Sequence, residues 1–290
     1  MTLALRSVAT LLFIHTIVST GLAETHRFEP KVFYNTFSAA HPLALRIKPG
    51  DQVNTYTIDA GGRDATGAQR GRGPNPQTGP FYIEGAEPGD TLVVHLLRLE
   101  TNRSTGYSGS LLAPYSVDPG FLRTEALREA KQLTWQIDKQ KGVATLEPGD
   151  YKGPRLELPL RPMLGCIGTA PANNAAIPTS YPDNFGGNMD YNGMGEGVTV
   201  MLPVFEPGAL LFLGDGHGRQ GDGEVTGGAI ETSLDVDTTE LMRWLMADYG
   251  FDERGASLLL GQAMEFEISN VVDPEFTIVA KMRKRFLGQR

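Results

Sequence analysis

The sequence holds 290 residues, with 34 Asp and Glu against 26 Lys and Arg, for a net charge of −8. An acidic chain without basic clusters excludes nucleic acid and anionic membrane surfaces as partners, because phosphate binding rests on lysine and arginine. Its lone cysteine, Cys166, excludes an intramolecular disulfide, so the fold depends on its core or on a metal.

In chain order the N-terminus speaks first. Arg6 precedes an apolar run from Val8 to Val18, and the small-residue site Gly21-Leu22-Ala23 follows. This pattern predicts a secretory signal peptide over residues 1–23. The mature chain would then start near Glu24, be periplasmic or secreted, and have no membrane contact after cleavage. The apolar run is too short for an anchor and is interrupted by His15 and Thr16.

Gly (35) and Pro (19) are spread without a period, which favours short strands and turns over long helices. Lys48-Pro49-Gly50-Asp51, Glu87-Pro88-Gly89-Asp90 and Glu147-Pro148-Gly149-Asp150 repeat one pattern, and Glu206-Pro207-Gly208 is a variant of it. Pro second and Gly third specify a type II turn. Strands are expected over Asp51 to Ile58, which alternates, and Thr91 to Leu97, which reads as buried. Similar strands are expected at Thr134 to Ile137, Val198 to Pro203 and Phe276 to Met282. Residues 61–79 have no periodicity and almost no apolar side chains; a loop that long inside a compact domain is functional or disordered. Apolar residues at helical spacing with capping residues predict a helix over Thr238 to Gly250, and further helices are expected at Ser257 to Phe266 and Phe121 to Gln132. The expected class is α+β, predominantly β, with sandwich- or barrel-like meanders and a small C-terminal helical portion.

Chemistry concentrates between Gly208 and Glu224, where an apolar strand runs into glycines interleaved with Asp215, His217, Asp222 and Glu224. In extended backbone Asp215 and His217 project from one face, as do Asp222 and Glu224. Such oxygen and nitrogen donors suit a hard or borderline divalent cation, and a carboxylate outside the coordination sphere can act as a base. A solvated Gly/Asp turn is the plainer reading of the same letters. Other acids recur at apparent strand ends: Asp59, Asp64, Glu84, Asp183, Asp190 and Glu231. A lone aspartate in a glycine-rich turn usually makes an Asx-turn. His217 differs because acids flank it. His95 lies in an apolar strand and reads as a core histidine, and Cys166 as a buried, inert thiol. An EF-hand starting at Asp215 is excluded by Thr226, which stands where the loop requires glutamate. No nucleophile elbow, dinucleotide fingerprint or P-loop is present.

Four segments carry a family resemblance: Thr78 to Leu92, Pro162 to Pro171, Gly186-Gly187-Asn188-Met189-Asp190, and Gly214-Asp215-Gly216-His217 through Gly221-Asp222-Gly223-Glu224 to Glu231. In this order, over residues 27–285, they resemble the acetamidase/formamidase family of amide hydrolases. The resemblance implies one such domain over residues 24–290, a β-rich fold, a homo-oligomer, and hydrolysis of short linear amides to carboxylate and ammonia. It also favours a divalent metal, Zn²⁺ first and Ca²⁺ second, held by Asp and His residues. Asp190, Asp215 and His217 are the first candidates as ligands, with Asp64 and Asp222 as further ones. Glu224 is the first candidate for the base and Glu84 the second; neither the family match nor the spacing settles these roles. Two departures stand out. Glycine occupies positions 216 and 218, where alanine is common in the family, which should loosen the backbone without removing a ligand. The export signal is unusual, so the physiological substrate need not be formamide. Rival readings of the same letters are an exported carbohydrate- or Ca²⁺-binding β module without catalysis, and an inactive homologue.

Overall fold

The computed structural model describes residues 23–110, 131–147, 155–224, 229–242, 264–270 and 277–282. Binary alternation builds its first sheet. Along Gln52–Tyr56 the even partners stay half-exposed while Val53 and Thr55 turn inward. This strand pairs with Leu234–Met242, which pairs with Thr91–Thr101, which pairs with Thr199–Pro203; Thr25–Arg27 adds a parallel edge to complete five strands.

The second sheet has eleven strands, and Leu211–Arg219 lies at its centre. Met163–Gly168, Gln77–Ile83 and Ile230–Glu231 pair with it, all antiparallel. From Ile230–Glu231 the sheet continues through Thr105–Gly109 to a meander of Gln132–Asp138, Val143–Leu146 and Leu156–Pro159. Val53, Leu92, Val94, Leu96, Val200 and Leu202 of the small sheet pack against Ile47, Phe81, Ile83, Leu164, Leu211 and Leu213 of the large one. Each fully buried side chain of this size contributes about 1.5–3 kcal/mol. On the opposite face of the large sheet Phe37, Phe185 and Phe212 meet at centroid distances of 5.1 and 5.4 Å. The result is a sandwich, with no closed barrel among the described residues.

The expected strands form: Thr91–Thr101 and Gln132–Asp138 run longer than the pattern suggested, and Gln52–Tyr56, Thr199–Pro203 and Thr277–Met282 shorter. The described ends of the expected helices are extended instead. Leu234–Met242 is a strand, so the helix expected from Thr238 is corrected in its described part. Its backbone is paired on both edges, with Gln52–Tyr56 and with Thr91–Thr101, and β-branched Thr238 and Thr239 suit that pleated position. Likewise Met264–Asn270 pairs with Thr277–Met282, so the end of the helix expected over Ser257 to Phe266 is extended. Gln132 opens a strand rather than closing a helix. The remaining parts of these expected helices, and residues 1–22 of the expected signal peptide, lie outside the described residues. Among the described residues no helix is long and apolar enough to cross a membrane.

Candidate active site

The central strand changes role half-way along. Leu211 and Leu213 point into the sandwich core, and regular alternation would send Asp215 after them. Asp215 instead takes a left-handed backbone with φ of 55°, and the alternation resets: a side chain on Gly216 would now strike Leu234 of the core. Asp215 and His217 therefore project from the opposite face. The neighbouring strand brings Gly165 beside them, and the turn after Gly186–Asn188 brings Asp190, whose backbone N–H donates to the Gly165 carbonyl at 2.9 Å.

At the centre is the His217 ring, fully buried. Its Nε2 lies 3.4 Å from Asp190 Oδ1 and 3.5 Å from Asp215 Oδ1, and its Nδ1 lies 3.6 Å from Glu231 Oε1. These are contacts of opposite charges, too long to be good hydrogen bonds. Glu224 completes the group: one donor atom each from Asp190, His217 and Glu224 lies within 4.8 Å of the others, as is true of Asp215, His217 and Glu231.

Amide side chains fix the far oxygens of two carboxylates. Asn188 Nδ2 donates to Asp190 Oδ2 at 2.8 Å, and Asn75 Nδ2 donates to Asp215 Oδ2 at 3.3 Å. Asn75 also donates to Asn188 Oδ1, and Gln77 Nε2 holds Asn75 Oδ1 at 2.9 Å. The oxygens facing His217 are thus oriented from behind. Among the described residues, Asp215 Oδ1, Glu231 Oε2 and both ring nitrogens of His217 are buried without a hydrogen-bond partner.

Four buried carboxylates around one imidazole carry more negative charge than His217 can balance. Protons gather there in response. Burial pushes Glu224 up to about 10, reinforced by Asp190 and opposed by His217. Burial also raises Glu231 well above the ordinary carboxylate range, again against the pull of His217. Burial opposes protonation of His217, but Glu231 and Asp215 outweigh it and raise its pKa well above the usual value. For Asp215, burial acts upward and the His217 charge downward; the net direction is down.

A divalent cation would relieve the same imbalance. Gly165 leaves room for one: a methyl group there would lie 2.6 Å from Asp215 Oδ2 and 2.8 Å from His217 Nε2, and closer still to Asp190 Oδ1. Buried, mixed carboxylate and imidazole donors, with Asp215 Oδ1 and the His217 ring nitrogens short of partners, fit a borderline cation such as Zn²⁺.

The structure gathers Asp190, Asp215, His217 and Glu224, with Glu231 from the other acids, but not Asp64, Asp222 or Glu84. Asp64 is committed elsewhere: the Thr66 hydroxyl at 2.6 Å and Arg70 Nε at 2.6 Å hold its carboxyl well below the usual range. Asp222 is exposed and accepts from Asn192 Nδ2, because Glu224 with φ of 47° sits in a turn and the two do not share a face. Glu84 is exposed just after Gln77–Ile83, its backbone N–H donating to the Ile47 carbonyl, and it does not join this group. Asp59 is buried against Arg103 at 2.7 Å. Gly216 is not a loosened position, since Leu234 fills the space a side chain would take. Asn75, Gln77 and Gly165 were not expected. Asn75 and Gln77 fall in the long aperiodic stretch 61–79, which was the signal for them.

A β-sandwich with a buried carboxylate–imidazole centre, open enough at Gly165 for a cation, belongs among hydrolytic enzymes more readily than among surface binding modules. Residues 23–177 and 173–277 match the Acetamidase/Formamidase family, and the chain belongs to that family. It is 28% identical over 280 residues to an acetamidase of Mycolicibacterium smegmatis, covering 75% of this chain and 68% of that one. To a formamidase of Methylophilus methylotrophus it is 26% identical over 278 residues, covering 76% and 67%. The crystal structure of an acetamidase from Yersinia enterocolitica superimposes with a TM-score of 0.66 at 26% identity, covering 94% of this chain and 96% of that one.

Proposed function

We propose that the chain hydrolyses short linear amides, of the formamide and acetamide kind, to carboxylate and ammonia, with a divalent cation, Zn²⁺ before Ca²⁺, as cofactor. The observation that carries this reading is the convergence of buried carboxylates on His217 in a member of an amidase family. Amides resist water because resonance weakens the carbonyl electrophile and nitrogen leaves poorly. The site must therefore take a proton from water and return one to nitrogen.

Asp190, Asp215 and His217 would hold the cation. When bound, it supplies Lewis acidity toward the amide carbonyl and makes water a nucleophile near neutral pH. Glu224 is the base: its carboxylate takes the proton as the water oxygen bonds to the carbonyl carbon. It then passes that proton to nitrogen as the C–N bond breaks and its electron pair leaves with ammonia. Glu231, against Nδ1, orients the His217 ring so that Nε2 faces Asp190 and Asp215. Asn75 and Asn188 keep the two aspartates turned the same way.

Export of the mature chain from Glu24 onward, and assembly as a homo-oligomer, are part of the same proposal, supported by the sequence signal and the family. The deciding experiment measures ammonia released from formamide and acetamide by purified protein, after chelation and after return of Zn²⁺ or Ca²⁺. Turnover should vanish with chelator and return with metal. Stoichiometric metal with no ammonia from any amide would instead identify a binding module or an inactive homologue.

A further inference from the structure

The base Glu224 belongs to two environments at once. Its carboxylate joins the charged cluster, and it also forms part of the wall of a cavity of about 500 Å³. Gln220, whose side chain donates to the Asp190 carbonyl, is shared in the same way. The rest of the wall is mainly apolar, with Leu133, Trp135, Leu146 and Leu158 from the outer meander. The one polar atom of Trp135 is satisfied within the wall, Nε1 donating to Ser108 Oγ at 2.9 Å, so the ring needs no polar partner from a ligand. Formamide has no substituent to place here, and acetamide has only a methyl group. A cavity of this size and lining matches those that bury whole organic groups.

We propose that this cavity receives the apolar substituent of the substrate, so that the preferred amides carry a phenyl or medium-chain alkyl group beside the carbonyl. The inference rests on the amidase reading above and extends its substrates from short amides to ones with a larger apolar group. Continuity through Glu224 sets the orientation, with the carboxamide at the charged cluster and the hydrocarbon toward Trp135.

The test is a series from acetamide through butanamide to hexanamide, with phenylacetamide, read as kcat/KM. Each buried methylene should raise kcat/KM by about fourfold, giving roughly 10²-fold between acetamide and hexanamide. Leu158→Trp, which fills the cavity from its half-exposed rim, should lower the hexanamide-to-acetamide ratio at least tenfold, while Leu158→Met should keep it. A flat or falling series with active enzyme would overturn the inference and leave the amidase reading standing. If no amide is turned over, the amidase reading fails, and calorimetric titration with hexanamide and acetamide then decides the cavity: equal binding of the two overturns it. A cavity covered by a second copy of the chain would give a flat series and a change of molecular mass in Leu158→Trp, which also overturns it.

Discussion

Gly165→Ala is the sharpest test of the site, because it adds one methyl group and removes no donor. The Gly165 backbone lies outside the left-handed region, so alanine there is not strained by conformation. A glycine-to-alanine change at such a compatible position normally stabilises by about 0.4–1 kcal/mol through the unfolded chain. Here the new Cβ would stand 2.6 Å from Asp215 Oδ2 and 2.8 Å from His217 Nε2. Those donors must retreat by roughly 0.6–0.8 Å to reach ordinary contact, and Asp190 Oδ1 by more. Overpacking of this kind costs about 1–3 kcal/mol, or a fall in Tm of about 2–12 °C. Displacements approaching ~1 Å at a reacting centre cost roughly 10²-fold in rate, so kcat/KM should drop between about 10- and 10²-fold. Metal content should fall with it. Gly218→Ala on the central strand is the control: its Cβ would meet neighbours at 3.5 and 3.6 Å, an ordinary contact, and should leave both Tm and turnover near the parent values. The assay is ammonia release beside elemental analysis and thermal melting. A Gly165→Ala protein with full metal, unchanged Tm and parental kcat/KM would refute the claim that this glycine keeps a ligand space open.

Other expectations follow from the same geometry. His217→Ala should lose metal and activity together, since it removes the shared donor of both ligand groups; full metal occupancy by elemental analysis would remove it from the ligand set. Glu224→Gln should retain metal while kcat falls roughly 10²–10⁴-fold, and near-normal turnover would pass the base role to another acid. The Glu224 carboxyl, raised from 4.5 to about 10, adds stability to the metal-free fold that is complete below pH 4.5 and lost as pH rises through 10. A cation held beside Glu224 favours its ionised form, so affinity should rise with pH across that window and uptake should release protons; calorimetry at pH 7 in two buffers of different ionisation enthalpy reads this, and no proton release would contradict it. Cys166→Ser should keep activity, because the thiol is fully buried and donates to the Thr179 carbonyl at 3.5 Å, an acceptor that a serine hydroxyl can reuse. Loss of turnover with fold and metal intact would make the thiol part of the chemistry.

The letters made parts of this legible and hid others for physical reasons. Alternation in Gln52–Tyr56 and the apolar run from Thr91 predicted their strands because side-chain period is a local property. Thr238 to Met242 carries helix-like spacing, yet pairing with two strands more than a hundred residues upstream decides its conformation, and no local window contains that information. Asp215 and His217 were visible as a pair because they lie on one strand. The arrival of Asp190 and Glu231 at the same imidazole depends on register across the sheet. Asp64, Asp222 and Glu84 had equally suggestive neighbours; only the fold shows that Arg70, Asn192 and open solvent take them.

The central strand is buried from Leu211 to Gly218 and paired on both sides, which separates the site into two parts by timescale. Amide hydrogens of Gly214 to His217 should exchange with solvent only through opening of the whole sheet, on the slow end of the range for native proteins. The Glu224 turn closes on Gly221 through a 3.5 Å backbone contact and can open locally far more often. Hydrogen exchange should therefore separate the two parts, slow at His217 on the strand and faster at Glu224 on the turn.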